Sequence, residues 1–149
     1  MMNFDNLDPE LSLEDIQQVE KELDLKFPQV LIDHYLKWNG GFPDHCIYQH
    51  DDERNQVCIE QGLPLKTDNK KHTTAQTAYR DLQKRNVPAK YFPFGIDTCG
   101  AYFLVDLSDP NHAIYFYQTD ITPPKLEACL RPLDAGFKDF WQRLGPDID

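Results

Sequence analysis

No C-x-x-C pair occurs among the four cysteines, Cys46, Cys58, Cys99 and Cys129. A zinc ribbon and a thioredoxin-type redox centre are therefore excluded, and the expectation is buried free thiols in a reducing, cytoplasmic compartment. The seven glycines form neither G-x-x-x-x-G-K-[ST] nor G-x-G-x-x-G, which excludes both common phosphate-binding loops. No run approaches the ~20 apolar residues of a membrane span. The opening MMNFDNLDPELSLED is acidic where a secretory signal would be basic, and it lacks such a signal's apolar core. Lys70-Lys71 and Lys84-Arg85 are small basic clusters beside acids, far short of a nucleic-acid stripe.

What is present describes a compact protein. A chain of 149 residues, 40% hydrophobic and 12% aromatic, is too apolar and too rich in rings for disorder despite a formal net charge of −10. One domain of this size buries about 70% of the surface its unfolded chain exposes, so it requires no metal or disulfide to fold. Charge is divided unevenly: residues 1–60 hold 14 acidic and 4 basic side chains, whereas residues 61–149 hold 11 of each. The whole excess is N-terminal. Such a face repels phosphate backbones and attracts cationic surfaces, so a basic protein is the expected partner, with no direct nucleic acid and no membrane.

Periodicity places the elements. Ser12 followed by Asp15 starts a helix, because a serine oxygen accepts from the open first-turn amides and a carboxylate suits the positive end of the dipole. Ile16, Val19 and Leu23 give it one buried stripe. Leu25-Lys26-Phe27-Pro28 breaks it, with Pro28 expected in the first turn of a second, more apolar helix carrying Leu31, Ile32, Tyr35, Leu36 and Trp38. Asn39-Gly40-Gly41 should stop that helix through left-handed backbone. Cys46-Ile47-Tyr48 and Val57-Cys58-Ile59 read as a hairpin with the charged tip Asp51-Asp52-Glu53-Arg54. Thr73 with Gln76 is the expected cap of a peripheral helix whose buried side is Ala75, Ala78, Tyr79 and Leu82.

Residues 91–97, 101–106 and 113–118 read as strands joined by short turns, favouring an antiparallel meander. Phe137, Phe140, Trp141 and Leu144 then give a last helix one aromatic face. Helices at both ends and strands mostly between them indicate an α+β fold: a mostly antiparallel central sheet with helices packed on one face, in a single domain.

Residues 45–53 invite two chemical readings, a Cys–His nucleophilic pair and a metal site. His45 cannot readily serve Cys46 as a base, since neighbouring strand residues point to opposite faces. Imidazole and carboxylate donors crowd the segment, but their spacing matches no zinc or calcium motif. No catalytic residue, metal or cofactor is expected.

Three blocks together carry a family resemblance. Glu20 and Leu23, then Leu25-x-Phe27-Pro28, then Tyr35-Leu36 running into Asn39-Gly40-Gly41, resembles the N-terminal signature of the Smi1/Knr4 family, also called the SUKH superfamily. Pro93-Phe94-Gly95-Ile96-Asp97, Gly100 and Phe103-Leu104-Val105-Asp106 are similar to its central strands, and Phe137-x-x-Phe140-Trp141-x-x-Leu144 to its last helix. The likeness spans roughly residues 10–145. It departs at Asp24, where many relatives carry glycine, at Ala101, often polar in relatives, and across residues 50–90.

The resemblance implies a non-catalytic α+β domain. Bacterial relatives act as immunity proteins that bind and neutralise a cognate toxin, often a nuclease; fungal relatives regulate cell-wall and signalling processes through protein contacts. Joined to the charge asymmetry, it gives an inhibitor whose acidic surface plugs a basic groove of the toxin. Candidate contacts are Asp44, Tyr48, Asp51, Asp52, Glu53 and Asp97, the acids meeting lysine and arginine and Tyr48 serving as an aromatic anchor. The alternative is an adaptor for an endogenous protein, with the corner after Gly41 forming part of its groove.

Overall fold

The computed structural model describes residues 3–49 and 56–146. Helix α1, Leu13–Leu23, begins where Ser12 Oγ accepts from Asp15 N (3.1 Å) while Asp15 Oδ2 accepts from Ser12 N (2.9 Å). This reciprocal pair satisfies two amides at the helix start, and the hydrogen bonds from Ser12 hold the Asp15 carboxyl below its usual range. Ile16 and Val19 are buried. The helix ends at Asp24, left-handed with φ 54°. Glycine adopts that backbone freely, and aspartate is among the few side chains that tolerate it.

Helix α2, Gln29–Lys37, follows directly. Pro28 stands one residue earlier than expected, as the N-cap rather than inside the first turn. Trp38 is already extended, and Gly40 and Gly41 carry the positive φ values, 73° and 86°.

Strand β1 (Phe4–Asp5) pairs with β2 (Phe42–Pro43), and β3 (Ile47–Gln49) with β4 (Gln56–Cys58), the expected hairpin. The central sheet is antiparallel throughout and ordered β5-β6-β7-β8-β9: Gln61–Gly62, Tyr91–Ile96, Tyr102–Asp106, Ala113–Tyr117 and Leu130–Gly136. Its middle three strands are the expected meander. The sequence reading omitted β5 and β9. β9, LRPLDAG, lacks clean alternation and contains Pro132, which an edge strand accommodates.

Alternation on β7 divides the core. Phe103 and Val105 join Phe92, Phe94, Ile114 and Phe116 in the larger cluster, which also takes in side chains of α1, α2 and α5 (Phe137–Gln142). Leu104 faces the other way, with Tyr91 and Tyr117, into a smaller cluster completed by Leu82, Val87 and Cys129. The last half-turn of α3 (Ala75–Lys84) and the short α4 (Leu126–Cys129) supply that second layer. Helix α3 buries the four expected residues, although its N-cap is Thr74, accepting from Thr77 N at 3.2 Å, and Gln76 instead donates to Leu65 O.

All four cysteines are free, but only Cys129 is buried. Cys99 is exposed in the turn after β6, and Cys46 and Cys58 are half-buried at the small hairpin. The expectation of buried thiols therefore holds for one of them.

Candidate functional site

The corner Trp38-Asn39-Gly40-Gly41 sends two adjacent side chains to opposite tasks. Asn39 is buried, and its amide joins three stretches of loop: Nδ2 donates to Pro9 O and to Lys66 O (2.7 Å each), and Oδ1 accepts from Leu65 N (2.9 Å). Its backbone oxygen accepts from Asp8 N (2.9 Å). The residue therefore ties the chain on both sides of α1 and α2 to the approach to α3, a role beyond stopping a helix. Gly40 lies against Asp8 and Pro64, where a Cβ would stand 2.5 Å from Asp8 Oδ2, while the oxygen of Gly41 accepts from Gly62 N (2.8 Å).

Asp8 extends this knot. Its carboxylate accepts from Thr67 Oγ1 and from His72 Nδ1 (3.1 Å) on the wall of an open cleft that also includes Leu7, Phe42 and Asn69. The order is carboxylate between hydroxyl and imidazole. A hydroxyl nucleophile needs the imidazole in the middle, so this arrangement does not activate Thr67. Among the described residues, no group of three or more His, Cys, Asp or Glu side chains could hold a metal ion.

Of the sequence-derived contacts, Asp44 is exposed just before β3, its Oδ1 accepting from Asn3 N at 3.3 Å. Asp97 is half-buried and organises its own turn, Oδ1 accepting from Cys99 N (2.9 Å) and Ala101 N (2.8 Å). Glu60 N donates to Ile96 O (2.9 Å), which brings Asp97 beside the chain leaving β4. Asp51, Asp52 and Glu53 lie outside the described residues; they belong to the segment that joins the paired residues Gln49 and Gln56.

Tyr48 requires a correction. It is fully buried, its hydroxyl donating to Leu133 O (2.5 Å) and its ring packing on Phe140 (centroids 5.2 Å apart). Strand alternation turns this ring inward, so it contributes to the core and cannot anchor a partner.

The sequence reading missed a second site, a cleft of about 350 Å³ between α2 and α5. Its walls are His34 of α2 and Trp38, which caps that helix, with Phe137 and Trp141 of α5 opposite and Val30 beside them. His34 is 8% exposed and stacks on Trp141 (4.7 Å, 17°). Burial, and secondarily the Lys37 charge, lowers its pKa to about 3, so the imidazole is neutral. The indole N–H of Trp141 is buried without a hydrogen-bond partner among the described residues. Lys37 and Lys138 stand at the rim with Asp33 and Gln142. The signal was legible only in part: Phe137 and Trp141 are four residues apart and so share one face of α5, whereas Trp38 meets His34 from the extended residue that ends α2.

The fold defines a class, the α+β domains in which a central antiparallel sheet is backed by helices. The site defines it further as a surface with clefts and buried polar knots. Within that class the chain belongs to the SMI1 / KNR4 family (SUKH-1), whose family model matches residues 10–143. The three sequence blocks had implied this membership. No curated protein matches the sequence.

Proposed function

We propose that this chain is a non-catalytic immunity-type protein that binds a basic, cognate toxin and blocks it. Membership of the family supports a role exercised through protein contact. The observation that carries the finer reading is the charge asymmetry, 14 acidic against 4 basic residues within positions 1–60. A toxin acting on nucleic acid needs a basic groove, and an acidic partner covers it while electrostatic attraction speeds capture. The proposed contact is Asp44 with Asp51, Asp52 and Glu53, and Asp97 as its outer member. Antiparallel pairing of β3 with β4 sets Gln49 opposite Gln56 and so holds the ends of the acidic segment together.

The test is the rate at which the product of an adjoining toxin gene is captured. Reversing Asp51, Asp52 and Glu53 to lysine should slow association about tenfold or more at low salt, with a shallower salt dependence and little change in folding. Unchanged association kinetics would remove this segment from the mechanism.

A further inference from the structure

The α2/α5 cleft has three features that the acidic contact does not use. Four aromatic rings wall it, those of His34, Trp38, Phe137 and Trp141. One buried polar group of its walls, the Trp141 indole N–H, lacks a hydrogen bond from the described residues. Its two rim ammonium groups, Lys37 and Lys138, have no acidic side chain within ion-pair distance among the described residues, although the chain carries a net charge of −10. Lys37 Nζ instead lies 5.6 Å from the centroid of the Trp38 ring. Native proteins pair their buried polar groups, and an exception marks either strain or an absent partner. Here one such donor belongs to a residue that walls the cleft.

We infer that the cleft receives an aromatic side chain of a partner protein, flanked there by carboxylates that Lys37 and Lys138 hold. About 350 Å³ is at the small end of ligand pockets, room for one large ring and its neighbours rather than a whole cofactor. Ring walls suit an aromatic anchor. The rim decides the flanks: its two ammonium groups outnumber its one carboxylate, Asp33, which already accepts from Gln29 Nε2 (2.8 Å), so carboxylates are favoured there over lysines. A second copy of this chain fits poorly, because two bodies of charge −10 repel one another. The segment bound here is opposite in charge to the surface proposed to meet the acidic hairpin, so the two contacts are independent.

Trp38 and Trp141 are the two tryptophans of the chain, and both line the cleft. Tryptophan emission of the full chain therefore reports directly on its occupancy. Titration with the blocked peptide acetyl-Glu-Phe-Glu-amide should change that emission saturably, with acetyl-Lys-Phe-Lys-amide and acetyl-Glu-Ala-Glu-amide each binding at least about tenfold more weakly, a difference of about 1.4 kcal/mol. The double variant Lys37→Glu, Lys138→Glu, whose substitutions are on the rim, should keep its thermal midpoint and invert the preference toward the lysine peptide. Equal responses to all three peptides, no saturable response, or an uninverted preference in the folded double variant would each overturn the inference. So would emission that changes on dilution without peptide, which would place a second copy in the cleft. None of these measurements involves the toxin or residues 51–53, so failure here leaves the proposed function standing, and the reverse.

Discussion

Trp38 and Asn39 are neighbours in the chain, yet the regions they enter treat buried polarity in opposite ways. The Asn39 amide is engaged at both ends: three side-chain hydrogen bonds of 2.7 to 2.9 Å, with Asp8, Thr67 and His72 extending the set. Around Trp38, rings dominate, and the Trp141 indole N–H is left without a hydrogen bond to the described residues. The physical difference is what each region gains from burial. A satisfied amide joins distant backbone, because every lost bond would leave a group desolvated and unpaired. An orphaned one contributes nothing to the isolated fold and is explained only by what it could meet. The first region is scaffold, and the second is the cleft proposed above to receive a partner.

Breaking the scaffold side should have the largest effect. Asn39→Leu preserves approximate size but leaves Pro9 O, Lys66 O and Leu65 N without their partner. At about 1 to 3 kcal/mol per unsatisfied buried group, with partial relief from water, the loss should be about 3 to 5 kcal/mol in urea denaturation. A loss below about 1 kcal/mol would mean that the knot is incidental. Asp8→Ala removes the acceptor shared by Thr67 and His72, whose carboxylate side chain is 5% exposed. It should cost about 2 to 3 kcal/mol in the same assay.

These two residues also show what a sequence can reveal. Periodicity sufficed for α1, the meander and the aromatic stripe of α5, because each is a local pattern of residues buried on one side. Asn39 was read as a helix stop, and its real partners lie 26 to 30 positions away in loops without periodicity. Tyr48 was given to the surface because a three-residue strand does not reveal which of its faces is inward. The cleft was invisible for the same reason as the knot: His34 and Trp141 come from opposite ends of the chain and meet only when both helices back the sheet. Gly95 was legible as a family position but not as a packing one; a Cβ there would stand 2.4 Å from Ile59 Cδ1.

On the aromatic side, pH is the sharper tool. The pKa of His34 is about 3 in the fold against 6.5 for the free side chain, lowered first by burial and then by Lys37. A depressed folded value means that the neutral imidazole's contribution is complete above about pH 6.5 and is lost as pH falls toward 3, since the unfolded chain takes up the proton first. His34→Phe keeps a ring between Trp38 and Trp141 and removes the titration. Between pH 7 and about pH 4.5 the wild type should therefore lose about 2 to 3 kcal/mol more stability than the variant, at about 1.4 kcal/mol per pH unit. Parallel pH profiles would show that the imidazole is hydrated after all.

The smallest effect distinguishes a site from a scaffold most directly. Trp141→Ala would open a cavity, with a loss of about 3 to 5 kcal/mol expected for a buried tryptophan, and would say little about the indole N–H. Trp141→Phe retains a ring against His34, Phe94 and Phe137 but removes the unpaired donor. Lost packing area counts against the variant, while relief of an unsatisfied N–H, about 1 to 3 kcal/mol, counts for it. The two nearly cancel, so urea denaturation should register a change of less than about 1 kcal/mol. A hydrogen-bonded indole would offer no such relief, and the same substitution would then cost about 2 kcal/mol or more. Because Asn39 is satisfied and Trp141 is not, the conservative replacement of a buried polar group should be severe at one and nearly silent at the other.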